Sequence, residues 1–454
     1  MSDLSFEIDS MSRLVFAAVA DDDTGASDLA GMLADEGLLT LLVIDLPPAE
    51  QFLEWSNGYD SVVMAEGTRN LPPREAQERT RRAIRLLKER DPRVFQIKYC
   101  STFDSTPEGN IGPSIDAALD ELDEAFTIAL PALPVNGRTT YQGYHFVGDQ
   151  LLSDSPMRHH PLTPMTNPNL VDLLGRQTKR RTGLAPHNEV EAGAKRLKQC
   201  FRSLRGEGVS IAVVDCLNDE HVKTICRAAA DLRLVTGSSA FGIGMPAIFR
   251  ERGWLSARTE KPFAPEIIEG RRGCLLVAGS CSVATRVQNE WLASQGVPIY
   301  QLDARELMND GFDGSAVTGE VRARLAAGGH CLLTTTGAPE EVRRVQEWGT
   351  GQGLSVPELG QRIASALADF VTEVLLDGRG GGLIVAGGET AGAVCRRLEL
   401  GALRVGRNIA PGVPLCFSLG KFRLPVVLKS GNFGGADFYG RALEAIARPS
   451  FYAV

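Results

Sequence analysis

The stretch Leu14-Val-Phe-Ala-Ala-Val-Ala-Asp-Asp-Asp-Thr-Gly-Ala-Ser-Asp28 decides the fold. An unbroken apolar run passes into three acids, and a Thr-Gly then opens a helical pattern that reaches about Glu36. A strand covered on both faces reads in this way, because helices bury both sides of a parallel sheet. The same pattern recurs along the chain. In the first half it predicts strands at Leu14–Ala20, Leu39–Ile44, Ser61–Ala65, Val94–Ile97, Thr127–Ala129 and Ile211–Val214. In the second half it predicts Cys274–Ala278, Ile299–Leu302, His330–Thr334, Gly382–Ala386 and Leu424–Lys429. The expected fold class is α/β, with two domains, each a largely parallel sheet flanked by helices.

At 454 residues the chain exceeds what one core organises. Arg250–Gly273 breaks both periodicities with Trp254, Lys261–Pro265 and Glu269–Arg272, which predicts a domain over 1–250, a linker over 251–272 and a second domain over 273–454. A second irregular region, Arg138 to about Gly183, is too long for a simple connection and reads as functional or interfacial.

A net charge of −8 and the lack of a basic run with interleaved aromatics argue against nucleic acid. The nine cysteines are scattered and never spaced C-x-x-C, so they read as reduced thiols and not as a zinc site. Asp3, Glu7 and Asp9 replace the basic start of a leader, and no apolar stretch reaches membrane-spanning length. The expectation is a cytoplasmic protein with no membrane partner.

Ligands of open α/β sheets lie beyond the carboxyl ends of the strands, and those ends are polar here. Asp21, Asp22 and Asp23 repel one another at a strand end, and a metal or a substrate hydroxyl would relieve them. Asp22 or Asp23 can also cap the helix, leaving one or two acids for chemistry. Arg69 closes a second apolar run and could pair with a carboxylate, or simply face water. After Val94–Ile97 comes Lys98, then Ser101, Thr102, Asp104, Ser105 and Thr106, a set suited to a small hydroxyl-rich anion. The alternative is a solvated Ser/Thr turn.

In the second half, Gly387-Gly-Glu-Thr390 turns from strand to helix, where backbone N–H groups favour phosphate. It is neither a P-loop nor a G-x-G-x-x-G turn. Gly279-Ser-Cys-Ser282, Thr334-Thr-Thr-Gly337 and Lys429-Ser-Gly-Asn-Phe-Gly-Gly435 end three further strands, and together the four loops look like a nucleotide site. Lys429 could reach a phosphate or lie in solvent. The histidines show no metal-ligand spacing, and Ser280 and Ser282 have no histidine–acid set nearby in sequence.

These residues together resemble the four-carbon acid sugar kinase family over nearly the whole chain. Asp21–Ala26, Thr68-Arg69, Lys98–Thr106, Gly279-Ser280, Gly387–Thr390, Pro411-Gly-Val-Pro414 and Lys429–Gly434 fall in the family's order. The resemblance implies an N-terminal sugar-acid domain, a C-terminal nucleotide domain and an active-site cleft between them. It further implies ATP with Mg²⁺ held through the ATP phosphates, and phosphorylation of a terminal hydroxyl on a four-carbon sugar acid.

The stretches Lys98–Pro113, Tyr141-Gln-Gly143 and His160–Thr166 look like the 3-oxo-tetronate kinase branch, ahead of threonate or erythronate kinases. The implied roles are Asp22, with Asp21 in reserve, as proton acceptor; Arg69 and Lys98 on the substrate carboxylate; and Ser101, Thr102, Asp104, Ser105 and Thr106 on its hydroxyls. The nucleotide would meet Ser280, Ser282, Thr335, Gly387, Gly388, Glu389, Thr390, Gly412, Lys429, Ser430, Gly431 and Asn432. A homodimer is left open. A non-catalytic sugar-acid sensor and a dehydrogenase or aldolase are the rivals from other classes.

Overall fold

The computed structural model describes residues 13–160, 163–255, 273–309, 311–376 and 380–448. The expected linker lies largely outside them, as do Lys261–Pro265, Glu269–Arg272 and the acidic N-terminal residues. The chain divides into two compact units, 1–259 and 260–454.

In the first unit the strands are β1 (Phe16–Ala20), β2 (Thr40–Ile44), β3 (Ser61–Ala65), β4 (Val94–Lys98), β5 (Thr127–Leu130), β6 (Arg138–Tyr141), β7 (Tyr144–Val147), β8 (Gln150–Leu151), β9 (Thr182–Ala185), β10 (Ile211–Val214) and β11 (Leu234–Gly237). Its main sheet runs β2-β3-β1-β4-β11-β5-β10-β9, every pair parallel. All five residues of β1, β2, β3 and β4 are buried, as two covered faces require. The helix Asp23–Asp35 packs on β2 and β3, and the helix Ile111–Leu122 on β4 and β11. β6, β7 and β8 form a separate antiparallel sheet inside the irregular region.

The second unit holds β12 (Cys274–Ala278), β13 (Ile299–Gln301), β14 (Cys331–Thr334), β15 (Gly382–Ala386), β16 (Ala402–Ala410), β17 (Val413–Ser418) and β18 (Pro425–Lys429). The order is β13-β14-β12-β15-β18-β17-β16, parallel through β18, with β17 and β16 antiparallel. Its core gathers Leu276, Leu332, Ile384, Leu415 and Val427 from five strands with Phe438 and Tyr439 of the last described helix.

Each strand expected from the sequence is present, its ends displaced by at most two residues. The antiparallel pieces, β9 and β11 were not expected. Thr182-Gly-Leu-Ala185 and Leu234-Val-Thr-Gly237 are four-residue strands too short to show a period, and β11 nevertheless sits between β4 and β5.

The first four strands of each unit have the same order: the second, third, first, then fourth in sequence. Successive connections leave the first strand in one direction and the fourth in the other, so a crevice opens beyond their carboxyl ends. In the first unit this point lies between β1 and β4. In the second it lies between β12 and β15.

Candidate functional site

At the β1/β4 crevice the backbones meet directly, with Asp21 N–H donating to Lys98 O at 3.0 Å and Arg69 N–H to Asp21 O at 3.0 Å. The Arg69 guanidinium forks onto Asp21, Nε to Oδ2 at 2.8 Å and Nη2 to Oδ1 at 2.9 Å. It also pairs with Asp22 Oδ2, and with Asp104 at 3.7 Å. Asp22, not Asp23, is the N-cap: Oδ1 accepts from Gly25 N–H at 2.7 Å and from the Thr24 hydroxyl at 2.8 Å.

Burial raises the pKa of Asp21 despite the pull of Arg69. For Asp22 burial acts in the same sense, but Arg69, Lys98 and the cap bonds together outweigh it, and its pKa lies below the ordinary carboxylate value. Two adjacent carboxylates are thus driven apart in proton affinity by their surroundings.

Lys98 is 3% exposed. Among the described residues its Nζ makes one hydrogen bond, to Tyr99 O at 3.1 Å. A Cβ on Gly25 would stand 2.9 Å from Lys98 Nζ and 3.0 Å from Asp22 Oδ2, so glycine leaves room for the ammonium beside the cap. Thr102 donates to Asp104 Oδ1 at 2.5 Å. Ser101 is held by its carbonyl, 2.7 Å from His145 Nε2. The Ser105 hydroxyl and the Thr106 carbonyl both accept from Gln177 Nε2, at 2.9 and 2.5 Å. The structure therefore brings Asp21, Asp22, Arg69, Lys98 and Asp104 together, and carries Ser101 to Thr106 on one braced loop.

In the second unit, Gly279, Gly387 and Gly431 let three loops touch. A Cβ on Gly431 would lie 2.1 Å from Ser280 Oγ, and one on Gly279 would lie 2.1 Å from Thr390 Oγ1. Gly387 has φ +125°, and a Cβ there would lie 3.2 Å from Ser280 N. Ser282 Oγ donates to Gly431 O at 2.8 Å, and Thr336 Oγ1 donates to Ser280 O at 2.8 Å. Thr335 N–H donates to Ala278 O at 3.1 Å, which brings the end of β14 to the same place. The antiparallel register of β17 on β18 sets the turn containing Gly412, φ +74°, at the Lys429 end of β18.

Backbone N–H groups at the start of the helix Gly388–Arg397, framed by side-chain-free positions, suit a phosphate. Two side chains have other company. Glu389 lies near Gly360, within 2.9 Å of where a Cβ would stand, and burial raises its pKa. Lys429 is fully buried and donates to Ser430 O and Gly431 O, both at 2.9 Å, and to Thr285 Oγ1 at 3.4 Å. It braces the Ser430–Asn432 backbone.

Two domain models match the chain: a sugar-binding N-terminal domain over residues 16–245 and a nucleotide-binding C-terminal domain over 275–439. The chain belongs to the four-carbon acid sugar kinase family. It is similar to a 3-oxo-tetronate kinase of Cupriavidus necator, 40% identical over 96% of this chain and 98% of that protein. The corresponding Haemophilus influenzae kinase is 37% identical over 94% and 98%. A crystal structure of Haemophilus influenzae protein HI1011 aligns with a TM-score of 0.74 and 36% identity, covering 94% of this chain and 99% of that one. Another, from Salmonella typhimurium LT2 and carrying the provisional name tRNA synthase, aligns at 0.79 and 33%, covering 94% and 98%.

As a member of this family the chain is a sugar-acid kinase, a phosphotransferase with separate sugar- and nucleotide-binding domains. No described helix is long and apolar enough to cross a membrane. Sequence reading missed several residues that shape the site. Asn110 Nδ2 donates to Thr68 O, Arg69 O and Leu71 O, at 2.8, 3.1 and 2.9 Å, and so fixes the loop that carries Arg69. Asp28, buried, accepts from Ser239 Oγ and adds a further acid near Lys98. An Asn just before a helix resembles a cap, and an Asp one turn into a helix resembles a solvent face, so neither gave a signal.

His187, Glu191 and His221 also meet, which their spacing did not announce. His221 Nδ1 accepts from Leu217 N–H at 3.0 Å, so Nε2 carries the proton and gives it to Glu191 at 2.5 Å. A metal-bound imidazole needs the opposite polarity, with Nδ1 donating.

Proposed function

We infer that the enzyme transfers the γ-phosphoryl group of ATP to the terminal hydroxyl of a four-carbon sugar acid, 3-oxo-tetronate ahead of D-threonate or D-erythronate, in the cytoplasm. The reading rests on one observation: a buried ammonium, Lys98, with a single hydrogen bond among the described residues, beside Asp22 at the β1/β4 crevice of the sugar-binding unit. Such a cation has donors left for a carboxylate. The names of the similar proteins favour the 3-oxo acid.

In this reading Lys98 holds the substrate carboxylate, and Thr102, Asp104 and Ser105 orient its oxygens. Asp22 Oδ2 accepts the hydrogen bond of the attacking hydroxyl and takes its proton as the bond to the γ-phosphorus forms and the bond from that phosphorus to the β,γ-bridging oxygen breaks, ADP leaving with the electron pair. A loose phosphoryl transfer needs positioning more than a strong base, which suits a carboxylate of low pKa. Asp21 fixes Arg69, and Arg69 fixes Asp22. The Ser280, Gly387–Thr390 and Gly431 loops hold ATP, where a Cβ at Gly279 or Gly431 would fill the space. The charge on the phosphates would be neutralised by Mg²⁺ brought in with ATP.

The test is phosphate transfer from ATP to a small panel of four-carbon acids, with Asp22→Asn as control. Asparagine caps helices as well as aspartate does, so the fold should persist while kcat falls by about 10²–10⁴-fold. Full activity of Asp22→Asn with loss in Asp21→Asn would move the role to Asp21. No transfer to any acid would leave the sensor reading.

A further inference from the structure

Gln177 lies at the end of the irregular region of the first unit, and its amide orientation is settled by its neighbours. Gly112 N–H donates to Oε1 at 2.9 Å, so the other terminus is the NH₂ group. That group donates to Ser105 Oγ at 2.9 Å and to Thr106 O at 2.5 Å. The Ser105 hydroxyl must therefore accept from Gln177. Its own proton meets no acceptor among the described residues and remains to be donated.

The loop is held in this state from several sides. Ser105 N–H points at Met165 Sδ, 3.4 Å away. A Cβ on Gly109 would lie 2.0 Å from Ser105 Oγ, so only glycine admits the hydroxyl there. His145, buried, links the loop to β6: Nε2 donates to Ser101 O at 2.7 Å and Nδ1 accepts from Thr140 Oγ1 at 3.0 Å. Burial pushes the His145 pKa down to about 4, which keeps the ring neutral at pH 7, and the Ser101 carbonyl, which can only accept, fixes the proton on Nε2. Thr102 has the reverse polarity to Ser105, since its proton goes to Asp104 and its oxygen accepts from the Cys100 thiol, 3.0 Å away.

A hydroxyl on the substrate can donate or accept, whereas an oxo group can only accept. A fixed donor at Ser105 gives an oxo group the one kind of partner it can take, whereas a hydroxyl accepting from the same donor must still place its own proton on a further acceptor. We propose that Gln177 is a positioning residue that sets the preference for a 3-oxo over a 3-hydroxy four-carbon acid, by making Ser105 a hydrogen-bond donor to the substrate. This rests on the reading of residues 98–106 as the sugar-acid site.

The experiment compares kcat/KM for 3-oxo-tetronate and for threonate in the wild type, Gln177→Glu and Ser105→Ala, with the KM for ATP and the melting temperature of each. In Gln177→Glu one carboxylate oxygen takes the Ser105 proton and the donor is lost. The oxo/hydroxy ratio should fall by about ten- to hundredfold, the scale on which a mispaired buried polar group is felt. Ser105→Ala should lower the ratio in the same direction, with the KM for ATP unchanged in both. Equal losses on both acids in Gln177→Glu, or an unchanged ratio in a folded Ser105→Ala, would overturn the proposal. Should Gln177→Glu fail to fold, Ser105→Ala decides alone. A wild type that phosphorylates neither acid would instead overturn the functional reading on which the proposal stands.

Discussion

Arg69 is engaged by Asp21, Asp22 and Asp104, while Lys98 keeps donors to spare, so removing each should have a different outcome. Lys98→Met should raise the KM for the sugar acid by about 10–100-fold, the worth of a charged hydrogen bond, and leave the KM for ATP alone. The uncharged polyol should reproduce that loss in the wild type and add little in the variant. Arg69→Met removes the one guanidinium that three largely buried acids share, and denaturant melts should show a loss of about 3–5 kcal/mol. If Arg69→Met instead melts like the wild type and only its sugar-acid KM rises, the carboxylate is held by Arg69.

Glu66 offers a pH signature. Burial, with Asp45 as the next cause, raises its pKa from 4.5 to about 7. A raised carboxyl contributes stability that is full below 4.5 and is lost as pH climbs through 7. Glu66→Gln should therefore melt higher than the wild type at pH 8, by up to about 3 kcal/mol, with the difference closing towards pH 4. Parallel stability curves across that range would refute the assignment. None of this was legible in the sequence, where Glu66 is one polar residue in a run of them.

At the level of elements, the contact between the strand-end loops is the most exacting feature of the nucleotide unit. Gly431→Ala would set a methyl group against Ser280 Oγ and push the loops apart. The expected outcome is a rise of about 10²-fold in the KM for ATP with little change in that for the sugar acid, because misplacement by about 1 Å is costly to bound geometry. Kinetics with both substrates varied would reveal any departure.

The loops themselves could be found from sequence because parallel strands are continuous apolar runs and their polar ends stand out. Their partners could not be found. Gln177 reaches Ser105 across 72 positions and His145 reaches Ser101 across 44, distances over which no period survives. The irregular region could be singled out as functional or interfacial by its length, but not resolved into those contacts. Lys429 makes contacts its sequence neighbours did not announce: buried, it donates to the Ser430 and Gly431 carbonyls of the loop that follows it.

For the whole molecule, two domain models meet two compact units. ADP binding should belong to the second. A polypeptide from about residue 270 onward should bind ADP by calorimetry and one ending near residue 250 should not. Nucleotide heat confined to the N-terminal piece would reverse the assignment of halves.

The strand order shared by the units has a further consequence, in the timing of synthesis. β1 leaves the ribosome before every other described strand of its sheet, yet its sheet neighbours are β3 and β4. At about 5–20 residues per second, its wholly apolar Phe16–Ala20 segment waits about 4–16 s for β4 to be made. The second unit repeats the delay, since β12 waits for β14 and β15. Each half of the enzyme thus begins life with an interior strand of its sheet unpaired and exposed to other chains. The nascent polypeptide should therefore need chaperone cover twice, once for each crevice it goes on to build.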